Sequence, residues 1–128
     1  MIEKVEKIPV KVRVITIILF LIITFMCISH IFNSEFEKKE AAFREEVVDT
    51  LKMYSAIEKY DLKRYEINLY IKPSTWEKAS PETQKAFLSE VYAMIRMDGI
   101  TSGYLDETAV MLNYYVGNDF LTCYNVVK

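Results

Sequence analysis

Between Arg13 and Glu35 the chain runs for 21 residues, Val14–Ser34, without a charge, and its centre, ITIILFLIITFMCISHIFN, holds neither glycine nor proline. At about 1.5 Å per residue, a helix of that length spans roughly 30 Å, the hydrocarbon thickness of a bilayer. A soluble core helix of this kind would need apolar partners on every side, and the 94 residues that follow are too few to provide them. The expectation is a single transmembrane helix over residues 14–34, preceded by a short basic tail over residues 1–13.

Signal-peptide cleavage is the competing fate of this segment. Lys4, Lys7, Lys11 and Arg13 form a basic leader, and Cys27-Ile28-Ser29 offers small residues for signal-peptide cleavage near Ser29, which would release a secreted small domain. Apolar residues resume at Ile31 and Phe32, where a secreted chain should turn polar, and this favours a retained signal-anchor. The segment 1–34 carries a net charge of +2 and the rest −4, which together give the chain's −2. Basic residues flank the span on both sides: Lys38, Lys39, Arg44 and Lys52 follow it. The shorter, closer N-terminal group places the N-terminus in the cytoplasm and the C-terminal domain outside it.

Beyond the span, Ser34-Glu35-Phe36-Glu37 has the form of a capping box, so a helix starts here or the membrane helix continues through. No glycine or proline occurs from Glu35 to Arg64, and Phe43, Val47, Leu51, Tyr54 and Ile57 recur at helical spacing. This predicts an amphipathic helical stalk over residues 35–64. At Tyr65 the period changes to two: Tyr65, Ile67, Leu69 and Ile71 face one way, and Glu66, Asn68 and Tyr70 the other, as in a half-buried strand. After Pro73, Ser74-Thr75-Trp76-Glu77 forms a second capping box, opening a one-turn helix with Trp76 as a lid on the core. Ser80-Pro81 then starts a helix expected to end at Gly99, with Phe87, Val91, Met94 and Ile95 on its buried side.

The chain closes with a hairpin, Thr108–Val116 and Asp119–Val127, around Gly117-Asn118, a pair suited to a type II′ turn. A regular two-residue loop puts Val110, Leu112, Tyr114, Leu121 and Cys123 on the core face, with Cys123 an inert buried thiol. Met111, Asn113, Tyr115, Phe120, Thr122 and Tyr124 take the other face. The predicted class is α+β: a transmembrane helix, an amphipathic helical linker, then a small β-α-β-β domain over residues 65–128 with a three-stranded sheet and one main helix.

One such helix covers one face of a three-stranded sheet. The uncovered face would show Tyr70, Met111, Tyr115, Phe120 and Tyr124, which is too aromatic for water and forms the candidate partner-binding surface. Its cover would be the 35–64 helix, a second copy in a homo-oligomer, or another protein.

Chemistry is thinly represented. The one histidine, His30, lies at the membrane edge. Cys27 and Cys123 are too far apart in the layout to bridge. Asp98, Asp106 and Glu107 flank a glycine-bearing loop, where acids are usually just solvated. No cofactor or metal motif is present, no particular small molecule is indicated, and no basic cluster suits nucleic acid. The sequence therefore points to a non-enzymatic, membrane-anchored interaction module, an accessory or regulatory subunit of a membrane complex whose partners are lipid and protein. A pilin-like structural subunit shares the outline of charged leader, apolar helix and antiparallel sheet. This chain, however, lacks a glycine before the apolar run and a glutamate within it.

Overall fold

The computed structural model describes residues 10–128, the side chain of residue 32 excepted. Of the expected basic tail, residues 1–9, with Lys4 and Lys7, lie outside the described residues. The chain divides into two compact units, Met1–Glu35 and Phe36–Lys128.

In the first unit the apolar stretch is helical, as part of α1 (Val10–Leu51). One helix near the N-terminus is long and apolar enough to cross a membrane, by length and composition. Every side chain from Val10 to Ile28 is exposed, with Phe20 at 69% and Phe25 at 71%. The hydroxyls of Thr16 and Thr24 donate to the carbonyls of Val12 and Phe20, each at 2.9 Å, so these polar groups are satisfied within the helix itself. The helix is unbroken at Ser34, so the capping-box pattern there marks no boundary.

The second unit is α+β. The last turns of α1 are followed by β1 (Ile57–Leu62), β2 (Glu66–Ile71), α2 (Pro73–Lys78), α3 (Pro81–Ser102), α4 (Tyr104–Glu107), β3 (Val110–Val116) and β4 (Asp119–Val126). The sheet has four strands in the order β1-β2-β3-β4, not three. Its two outer pairs are antiparallel hairpins and its central pair, β2 with β3, is parallel. The additional strand comes from the expected stalk: helix ends at Leu51, and residues 57–62 form an edge strand instead of two further helical turns.

A turn without glycine or proline makes the first hairpin possible. The N–H of Lys63 donates to the carbonyl of Glu66 at 2.8 Å, leaving Arg64 and Tyr65 at the tip. Tertiary contacts hold this tip. The Arg64 guanidinium pairs with Glu40 at 2.8 Å, and its carbonyl accepts a hydrogen bond from the Tyr104 hydroxyl.

The core lies on one face of the sheet. Ile67, Leu69 and Ile71 of β2 and Val110, Leu112 and Tyr114 of β3 meet Leu88, Val91 and Ile95 of α3 and Phe43, Val47 and Leu51 of α1. The amphipathic stripe of residues 43–51 thus covers the same face as α3. Phe87 and Met94, expected in the core, are only half-buried, and Trp76 packs partly buried at its margin. Tyr104 is fully buried, its ring 4.8 Å from Phe43 and 5.6 Å from Phe36, and burial pushes its hydroxyl pKa up to about 12. The Tyr114 hydroxyl, also raised by burial, donates to the Leu88 carbonyl at 2.8 Å, tying β3 to α3.

Helix α3 starts as expected, with the Ser80 hydroxyl accepting from the Thr83 N–H at 3.2 Å. It does not end at Gly99. It continues to Ser102 and stops at Gly103, which adopts a left-handed φ of 80°. Gly99 has a different task. A Cβ placed there would lie 2.5 Å from Cγ of Leu105, so the missing side chain is what lets α4 fold back onto α3. The second capping box is also not formed: α2 begins after Lys72, with no side-chain cap.

The second hairpin pairs Val116 with Asp119 and Tyr115 with Phe120 around Gly117 (φ 62°), as expected. A register shift follows. Tyr114 then pairs with Thr122, Leu112 with Tyr124 and Asn113 with Cys123. Leu121 is the extra residue, and it exchanges the faces of everything beyond it. Cys123 is therefore exposed on the side away from the core, not a buried thiol, and Thr122 and Tyr124 turn to the helix side. Leu121 is 37% exposed and lies outside the core.

Candidate functional site

The face turned away from the helices is read off the pairing. Strand alternation and the registered partners arrange it in rows that cross all four strands. The first row is Lys59, Tyr70, Tyr115 and Phe120, one residue from each strand. The second is Asp61, Asn68, Asn113 and Cys123, and the third includes Glu66, Met111 and Asn125.

The first row is a continuous chain of ring contacts. Tyr70 and Tyr115 stack at 4.9 Å with planes 17° apart, and Phe120 meets Tyr115 edge-on at 5.7 Å. The ammonium of Lys59 sits 4.6 Å from the Tyr70 ring centre. Cross-strand aromatic pairs and a cation over a ring each stabilise a sheet by a fraction of a kcal/mol to about 1 kcal/mol. The stack leaves Tyr70 and Tyr115 half-buried. Phe120 is 59% exposed and Met111 43%.

The second row is polar and internally matched. Nδ2 of Asn113 donates to Oδ1 of Asn68 at 2.9 Å and to Oε1 of Glu66 at 2.7 Å. Both asparagines are buried, at 5% and 8% exposure, by the side chains around them on this face. The face therefore offers an aromatic ridge beside a fixed amide–carboxylate network: apolar contact with a few oriented polar groups.

Of the five residues expected on this surface, Tyr70, Met111, Tyr115 and Phe120 share it. Tyr124 does not, because the extra residue at Leu121 turns it to the helix side, where its ring meets Tyr114 at 5.7 Å and Tyr92 at 5.6 Å. Lys59, Asp61, Asn68, Asn113 and Cys123 belong to the surface as well. The alternation in Glu66-Ile67-Asn68-Leu69-Tyr70 already places Asn68 beside Tyr70. Lys59 and Asp61 became visible only with β1.

The three acids near the Gly99–Gly103 segment are not brought together. Asp106 pairs with Lys128 at 2.5 Å, which holds its carboxyl below the usual range, and Glu107 pairs with Lys39 at 2.8 Å. Asp98 lies inside α3, accepting a hydrogen bond from the Thr50 hydroxyl at 2.6 Å. Burial and the nearby Asp49 push its carboxyl up, with the Thr50 bond opposing. Burial, Asp98 and Glu45 raise Glu46 in the same way. Among the described residues no three His, Cys, Asp or Glu side chains are grouped to hold a metal ion.

No family model matches the chain, and no curated protein and no solved structure is significantly similar to it.

Proposed function

We propose that this chain is a membrane-anchored, non-enzymatic interaction module, an accessory or regulatory subunit of a membrane complex that binds a protein partner through the open sheet face. The observation that carries this reading is the row Tyr70–Tyr115–Phe120, bordered by Met111, on a face that the helices of the unit leave uncovered. A solvated sheet face usually alternates to polar residues, and exposed aromatic and methionine side chains in a contiguous group are the composition of contact surfaces. The buried Asn68–Asn113–Glu66 network beside it supplies orientation without mobility. In this reading the apolar helix stays in the lipid as a single-pass signal-anchor. Lys11 and Arg13 lie on the cytoplasmic side and residues 36–128 outside it.

The test is the double substitution Tyr115→Ser, Phe120→Ser in the full chain, followed by crosslinking in native membranes and sizing of detergent extracts. The reading expects loss of the crosslinked species and a smaller complex. Unchanged complex size and crosslinks would remove this face as the binding site. Intact mass from the same membranes tests the anchor: the full-length mass supports it, and a mature chain beginning near His30 replaces it with a secreted domain.

A further inference from the structure

The two edges of the sheet are built differently. Edge strand β1 carries Glu58, Lys59 and Asp61 among six residues and has a register shift between Ile57 and Lys59. Charges and irregularities of this kind keep an edge from pairing with a stray chain. Edge strand β4 carries one charge, Asp119, at its first residue, and Phe120, Leu121, Cys123 and Tyr124 are exposed along it.

The free main-chain groups of β4 can be placed. The N–H of Met111 donates to the Tyr65 carbonyl and that of Gly117 to the Ile71 carbonyl. Odd-numbered residues of β3 thus turn their backbone groups to β2 and even-numbered ones to β4. Since Leu112 pairs with Tyr124 and Tyr114 with Thr122, the groups of Tyr124 and Thr122 point inward. Those of Cys123 and Asn125 point to the empty edge. At the end of the chain the Arg96 guanidinium donates to the Val127 carbonyl at 2.9 Å and closes the edge.

Beside this edge, between β4 and the first turns of α3, runs a groove of about 400 Å³ lined by Trp76, Lys85, Leu88, Leu121, Thr122 and Tyr124. Its lining contains no acid, and Lys85 has no ion pair among the described residues. A strand edge with outward N–H and C=O groups, next to a groove on the helix side, is the arrangement by which domains accept an added peptide strand.

We infer that β4 takes an extended acidic peptide as a fifth strand. Main-chain bonds form with Cys123 and Asn125, one bulky apolar side chain enters the groove against Trp76 and Leu88, and a carboxylate pairs with Lys85. Side chains two apart share a face of a strand, so the recognised pattern is an apolar residue and an Asp or Glu separated by one position. The unmatched charge of Lys85 selects this occupant over a second copy. The β4 of a second copy carries its one carboxylate at Asp119, and antiparallel pairing would set that residue at the Asn125 end, away from Leu121 and Thr122. The site is separate from the aromatic face and stands whether or not that face binds.

The test uses the full chain in detergent micelles and a phage-displayed library of random decapeptides, with the Lys85→Glu chain as counter-selection. The expected result is enrichment of the apolar-x-acidic pattern. For the best peptide, made with a fluorescent label, Lys85→Glu weakens binding tenfold or more, and replacing the peptide's acid by lysine restores it. Two N-methylated versions, methylated at alternate sets of residues, then separate β-addition from other modes: one loses binding at least tenfold and the other keeps it. Tyr70→Ser with Tyr115→Ser, on β2 and β3 away from this edge, leaves this binding unchanged, which distinguishes it from partner binding on the sheet face. Absence of enrichment, equal tolerance of both methylated peptides, or crosslinking of Cys123 to Cys123 between copies carrying Cys27→Ser would overturn the proposal.

Discussion

At the scale of single residues, the buried Tyr104 and the half-buried Asp98 make sharp predictions. The Tyr104 hydroxyl donates to the Arg64 carbonyl at the tip of the first hairpin. Tyr104→Phe keeps the ring between Phe36 and Phe43 but leaves that carbonyl without its donor. The expected cost is about 1 kcal/mol, read from the urea midpoint, with faster amide exchange concentrated at residues 63–66. Asp98 predicts a pH dependence. Its folded pKa lies above the ordinary 3.8, so the folded state holds the proton more tightly than the unfolded chain. The contribution of Asp98 is therefore most favourable below 3.8, falls as pH climbs through the raised folded value, and is flat above it. Asp98→Asn keeps an acceptor for Thr50 and removes that slope. It also takes away the charge that helps to raise Glu46. Variant minus parent stability, measured by urea unfolding from pH 3 to pH 8, should rise across the mildly acidic range and level off at neutral pH.

At the scale of elements, the α3–α4 corner depends on a missing side chain. Gly99→Ala drives a Cβ into Leu105, and the overpacking should cost about 1–3 kcal/mol in urea unfolding, while Leu105→Ala in the same chain recovers part of it. This corner also shows what the sequence could and could not reveal. Two glycines lie near the helix end, and the first looks like a stop signal, but close packing against a leucine six residues later cannot be read locally. The apolar helix, the start of α3, the alternation of β2 and the Gly117-Asn118 turn were legible because each is encoded in its own residues. Strand β1 was not, since Arg64 and Tyr65 are poor turn formers and the turn is held by Glu40 and Tyr104, both distant in sequence. The faces of β4 were half legible. Pairing next to the turn follows from loop length, and the extra residue at Leu121 then reverses the assignments of Thr122, Cys123 and Tyr124. The candidate surface thus kept Tyr70, Met111, Tyr115 and Phe120, exchanged Tyr124 for Cys123, and took Lys59 and Asp61 from β1, while Asn68 and Asn113 lie on the face where alternation puts them.

At the scale of the whole molecule, the two compact units divide after Glu35. A chain of residues 36–128 contains the entire hydrophobic core, including Phe43, Val47 and Leu51. It should unfold cooperatively in urea and stay in the supernatant after ultracentrifugation, while the full chain resists alkaline extraction from membranes. The parallel seam between β2 and β3 has a further kinetic consequence. Each hairpin closes locally, but the seam joins residues that the whole of Lys72–Ala109 separates, so a long loop must be closed before its contacts form. Leu69→Ala and Leu112→Ala, on either side of that seam, should therefore slow refolding of the 36–128 chain in stopped-flow experiments. Until the junction zips, a nascent chain holds two half-sheets with bare inner rims, and that interval is when its copies are most prone to tangle.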